Sequence, residues 1–191
     1  MSLQEYRPLI VRASRTLGSV LLEKQLVTAE QLDEANEKFL ANLEQGDLRR
    51  ASILHVLLFE MQVLKEDAFI EATVEKYGLG LIDLHGCQFR KFSELQPITD
   101  ACWVTWTVPF DVLDDFYLLA SLMYPSPPVV KFWQEKFPGK NLLWYATSVR
   151  SFQSAMEKLE QLKGEAARAA AVAAARTSTP KTTKPPLPAK K

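Results

Sequence analysis

Very few residues of this 191-residue chain stand at spacings that do chemistry. The one Gly-Lys step, Gly139-Lys140, is followed by Asn141, and Gln134 stands where a phosphate-binding loop needs its first glycine. Without that cradle and its hydroxyl for magnesium, ATPase activity is not expected. His85-Gly86-Cys87 places two ligand types together, but a metal site needs three or four. His55 and Cys102 complete the histidines and cysteines, and both fall in other elements. A loop histidine and a reduced, semi-buried thiol are the expected reading, with no metal and no cofactor. Asp111, Asp114 and Asp115 offer carboxylates, yet they flank a hairpin turn, where aspartate is favoured for local reasons.

The large aromatics are the remaining candidates. Trp106 shares strand parity with Val104 and Val108 and reads as core. Trp103 lies on the other parity and Trp133 on a short helix, so these two are the expected contributors to a protein-binding patch.

The chain has no net charge, but the balance is uneven. From Gly164 onward six basic residues face one acid, Glu165, which leaves a mildly acidic body. That body does not suit nucleic acid. No apolar run is long enough for a transmembrane helix, and the pattern of the first residues leads us to expect no secretory leader. A cytoplasmic protein is expected.

An internal repeat organises the first third. Leu17-Gly18-Ser19-Val20-Leu21-Leu22-Glu23-Lys24-Gln25-Leu26-Val27 is echoed 37 residues later by Leu54-His55-Val56-Leu57-Leu58-Phe59-Glu60-Met61-Gln62-Val63-Leu64. Thr28-Ala29-Glu30-Gln31 reads as a capping box, with Val27 and Leu32 as a hydrophobic staple. Leu32, Ala35, Phe39, Leu40 and Leu43 recur at helical spacing until Gly46. The second copy keeps the staple as Leu64 and Phe69 but has Lys65 in place of Thr28, and its helix over 66–77 ends at Gly78.

Beyond Gly78 the pattern changes to short strands. The stretch 79–84 is a strand, and Val104 to Phe110 alternates as a second. Asp114-Asp115 turns it into Phe116–Ala120. Pro125–Pro128 seeds a helix through Phe137, 141–146 is another strand, and Thr147 or Ser148 caps a last helix striped by Phe152, Ala155, Met156, Leu159 and Leu162. The expected fold is α+β, with a helical hairpin-repeat subdomain ahead of a small three- to four-stranded sheet with helices. The expected divisions are an arm over 1–13, the repeat over 14–78, the α+β unit over 79–163, and a tail over 164–191, Ala-rich and then Lys/Pro-rich and disordered. Pro185-Pro186-Leu187-Pro188 in that tail reads as a solubilising linker, and its lysines as a basic tether.

This layout resembles the N-terminal domain of type II secretion and type IV pilus assembly ATPases, over roughly residues 14–162. The resemblance rests on the 17–32 stretch, on Tyr77-Gly78-Leu79-Gly80-Leu81-Ile82-Asp83-Leu84, and on the hairpin followed by strand, threonine and helix. It implies a bacterial docking or adaptor domain that binds a motor ATPase or inner-membrane anchor of a secretion, pilus or related envelope machine. One branch of the family also binds cyclic di-GMP through a motif present twice. Its arginine falls here on Thr16 and Ile53, its first glycine on Gly18 and His55, its second on Gln25 and Gln62, and its closing glutamine on Phe39 and Lys76. Only Gly18 is kept, while the apolar positions persist. A nucleotide site would therefore have to use Arg15, Leu17, Gly18, Leu21 and Leu22 with Leu54 and Leu58, and leucines supply packing rather than the charge and amides a nucleotide needs. A docking scaffold without the motor is the first expectation, a cyclic di-GMP receptor the second, and the N-terminal piece of a longer ATPase the third.

Overall fold

The computed structural model describes residues 3–89, 98–123 and 125–177. Its elements are α1 (Leu3–Glu23), α2 (Ala29–Gln45), a short α3 (Ile53–His55) that runs into a π-helical turn (Val56–Glu60), α4 (Glu66–Tyr77), β1 (Gly80–Leu81), α5 (Ile98–Thr105), β2 (Thr107–Leu113), β3 (Phe116–Ser121), α6 (Pro127–Lys136), β4 (Asn141–Ala146) and α7 (Val149–Thr177). The four strands lie in the order β1-β4-β3-β2. β2 and β3 form the hairpin, while β3–β4 and β1–β4 are parallel. This is an α+β fold, as the sequence indicates.

Local chemistry explains most boundaries. The Thr28 hydroxyl accepts from the Gln31 amide at 3.2 Å, and the Gln31 side chain accepts from the Thr28 amide at 2.9 Å. Two otherwise unpaired donors at the start of α2 are thereby satisfied. Gly46 ends that helix at φ 84°, and Gly78 ends α4 at φ 61°. Lys65 gives α4 no side-chain cap. Ser148 starts α7, its hydroxyl accepting from the Ser151 amide at 3.2 Å.

The structure departs from the sequence expectations in five places. Residues 1–13, read as an arm, are helical from Leu3, and Tyr6, Ile10 and Ala13 are buried. Tyr6 packs edge-on to Phe132 of α6 at 6.1 Å, so this end of α1 belongs to the core. Val104 is helical and Trp106 has φ 49°, so the second strand starts only at Thr107. Alternating burial over five residues fits a helix running into a strand as well as it fits a strand alone. The leading helix of the second copy is short and irregular, Ile53–His55 running straight into the π-helical turn Val56–Glu60. Gly164 does not break α7, because alanines carry the helix on through Thr177. Trp133 is wholly buried and donates from Nε1 to the Thr105 hydroxyl at 3.1 Å, so it belongs to the core and not to a surface patch. The Lys/Pro-rich end from 178 lies outside the described residues.

One continuous apolar cluster runs from Tyr6 and Leu17 through Leu54, Phe69 and Trp106 to Phe152 and Leu159. The repeat and the sheet share this core.

Candidate functional site

The repeat is the first place to look for a site. Leu17, Leu21 and Leu54 are fully buried, Leu58 is half-buried, and Leu22 and Arg15 face solvent. The seven residues of a nucleotide site therefore do not converge on one open surface. Gly18 has a packing reason: a Cβ there would lie 3.1 Å from Leu32 Cδ1, so the missing side chain lets α1 and α2 approach at the staple.

The turns of the two copies share an unusual backbone. Gln25 and Gln62 both stand at φ 55°. In the first copy the Leu26 amide bonds the Leu21 carbonyl at 2.9 Å and the Gln25 amide bonds the Leu22 carbonyl at 3.0 Å, which is a Schellman close. In the second copy the Met61 amide bonds the Val56 carbonyl at 2.8 Å and the Val63 amide reaches back to Leu57 at 3.1 Å, one residue wider than in the first. That extra residue is the π-helical turn.

The widened turn presents His55 and Glu60. Glu60 Oε1 accepts from Asn42 Nδ2 and from an Arg50 nitrogen, both at 2.8 Å, and lies 3.5 Å from His55 Nε2. Burial pushes the Glu60 carboxyl up, but the hydrogen bonds from Arg50 and Asn42 outweigh it and leave the group below its ordinary value. Burial lowers the His55 pKa from its ordinary value, which Glu60 only partly offsets.

His55 and Phe59 form one wall of a cleft of about 390 Å³ between the second copy, α5 and α7. His55 lies 5.1 Å from Phe59, centroid to centroid, and Phe59 stacks on Trp106 at 6.2 Å. Trp106 stacks in turn on Phe152 at 5.3 Å. Trp103 closes the other wall, edge-on to Phe152 at 5.5 Å. The Arg49 guanidinium sits 5.2 Å over the Trp103 ring and bonds both oxygens of Glu160, at 2.8 and 3.0 Å. Trp103 Nε1 donates to Glu160 at 3.1 Å, which fixes the carboxylate between indole and guanidinium. Glu157 and Gln153 complete the rim. Of these residues the sequence points to Trp103 as a surface aromatic, to His55 as a ligand type, and to Trp106 and Phe152 as core. Arg49 and Glu160 are 111 positions apart, and no local pattern signals such a pair.

The other candidates resolve into local structure. His85 Nδ1 and Asp83 are 2.5 Å apart, and Ser151 donates to the same Asp83 oxygen at 3.1 Å. These bonds, His85 foremost, pull the Asp83 carboxyl down to about 2. The cluster ties the loop after β1 to the start of α7. Asp114 and Asp115 form the hairpin turn, and Lys140 bonds Asp115 at 3.2 Å. Asp111 accepts from the Val112 amide at 2.8 Å. Among the described residues no three His, Cys, Asp or Glu side chains are grouped to hold a metal, and no helix is long and apolar enough to cross a membrane.

A further apolar surface lies on the sheet. Leu113 pairs with Phe116 across the hairpin and Leu118 with Leu143 across β3–β4, so all four share one face. Leu113, Phe116 and Leu143 are 62%, 44% and 42% exposed. The opposite face carries Tyr117, stacked on Phe137 beside α6 at 4.3 Å.

No family model and no curated protein matches the chain. Two solved structures are similar to it. The structure of MshE with cdg shares 15% identity at a TM-score of 0.47, over 75% of this chain and 97% of that one. The N-terminal domain of XpsE shares 18% identity at a TM-score of 0.45, over 74% of this chain and 90% of that one.

Proposed function

We propose that this chain is a non-enzymatic docking domain, bacterial and cytoplasmic, that binds a protein component of a secretion, pilus or related envelope machine. The observation that carries this reading is the solvent-facing apolar surface of Leu113, Phe116 and Leu143 at the hairpin end of the sheet. Its rim bears Asp111 and Asp114, so the surface suits a partner segment with apolar residues flanked by basic ones. Affinity purification from the native organism tests it, with the unaltered chain and with Phe116→Asp and Leu143→Asp variants. Recovery of an envelope-machine protein by the unaltered chain, and its loss with both variants, is expected. Recovery of none, or equal recovery by the variants, rejects the reading.

A cyclic di-GMP receptor has one observation in its favour: Gln25 and Gln62 keep left-handed turns where the nucleotide motif carries glycine. Against it, Leu17, Leu21 and Leu54 have no surface to offer a ligand. Calorimetry with cyclic di-GMP decides, since binding at micromolar affinity or tighter overturns the docking reading.

A further inference from the structure

The cleft between the second repeat copy and α7 holds a cation of the chain's own. Arg49 lies on the face of Trp103 and is gripped by both oxygens of Glu160, and the Trp103 indole steadies that carboxylate from the side. The grip is weakly held, because the Arg49 side chain is 58% exposed and Glu160 38% exposed. Exposed pairs of this kind contribute little. A second carboxylate, Glu157, lines the same cleft and has no partner among the described residues. His55 adds an aromatic wall, packed on Phe59. The lining thus carries one cation against two anions, with an indole face and flanking rings. This is the chemistry that selects a guanidinium or ammonium group over a neutral or anionic one.

We propose that this cleft is a receptor for a basic side chain, arginine above all, presented by a partner protein, and that Arg49 occupies it in the free chain as a displaceable stand-in. A guanidinium fits best, because the Trp103 face and the two Glu160 oxygens already hold one, with a single guanidinium nitrogen shared between both oxygens. The inference concerns a different surface from the sheet face and does not rest on the docking reading.

The experiment is an NMR titration of the full ¹⁵N-labelled chain, following the Trp103 indole N–H, which Trp103→Phe identifies. The probes are N-acetylarginine amide and its neutral isostere, N-acetylcitrulline amide. In Arg49→Ala, where the stand-in is gone, the arginine probe is expected to give a saturable shift, about tenfold tighter than in the unaltered chain. Adding Glu157→Gln is expected to return the affinity by a similar factor. The Trp133 and Trp144 indole signals stay in place and report that the fold is intact. Arg49→Gln, which keeps the stem, serves if the alanine variant does not fold. No saturable shift in either variant, or an equal response to citrulline, overturns the proposal. Tighter binding of spermidine than of the arginine probe overturns the assignment to a protein side chain and points to a free polyamine.

Discussion

The two copies of the repeat start from the same plan and end differently. Both close on a glutamine at φ 55°, 37 residues apart, and both bury their leading leucine, Leu17 or Leu54. The first copy is regular: a straight helix, a Schellman close, a capping box, and Gly18 admitting Leu32 at close range. The second copy has His55 in place of Gly18 and Phe69 in place of Leu32, and His55 packs on Phe59 and Trp106 instead. Its helix widens into a π-turn, its cap is lost at Lys65, and the displaced polar groups join Arg50, Asn42 and Trp106. One copy became packing, and the other became the wall of a cleft. A backbone plan survives side-chain exchange when the leucines that bury it are kept.

The largest effects test whether both copies hold one core. Leu17→Ala and Leu54→Ala each remove a fully buried side chain and are expected to cost about 2–5 kcal/mol in urea unfolding. A loss below about 1 kcal/mol at either site would separate that copy from the core.

The caps give the next contrast. Thr28→Ala removes a two-way hydrogen-bonded cap and is expected to cost about 1 kcal/mol. Lys65→Thr installs a hydroxyl at the matching position, where the backbone is already extended at φ −83°. Its gain should be smaller than the Thr28 loss, because Ala68 stands where Gln31 completes the first box. Equal and opposite changes in midpoint would show that the reciprocal bond adds nothing.

How much of this was legible follows from sequence distance. The capping box, the staple, the Asp114-Asp115 hairpin and the Pro-seeded helix are each written within a few residues, and the structure holds them where the pattern put them. Trp106 as core was legible from parity, although the strand starts one residue after it. Trp133 was misread because a tryptophan on a short helix carries no local mark of what covers it, and here Thr105 accepts its indole hydrogen. The cleft was out of reach. Trp103 meets Glu160 across 57 positions and Arg49 meets Glu160 across 111, and only the tertiary fold brings them together. The π-turn was equally hidden, since no helix-breaking residue marks Val56–Glu60 in the sequence.

The shared turns are expected to respond alike. A non-glycine residue in the left-handed region carries a strain that glycine does not, so Gln25→Gly and Gln62→Gly should each stabilise by about 0.5–1 kcal/mol. Loss of stability at Gln62 alone would mean that its side chain, and not its backbone, holds the wider turn.

The smallest effect separates the copies by pH. His55 has its pKa lowered from 6.5, chiefly by burial, with Glu60 and Asp47 opposing and Arg50 assisting. Arg49, Glu157 and Glu160 face it across the cleft, and Phe59 and Trp106 pack on its ring. Below pH 6.5 the unfolded chain binds a proton that the folded chain resists, so stability falls as the pH drops from there toward the lower folded value. Glu60 is lowered from 4.5 and adds a second decline beginning below that pH. The first copy has Gly18 at the matching position and nothing there to titrate. Urea midpoints measured from about pH 7.5 down to about pH 5.5 should therefore decline in the unaltered chain and flatten in His55→Gln. An unchanged slope in His55→Gln would place the titrating group elsewhere and remove the second copy's claim to a pH-sensitive wall.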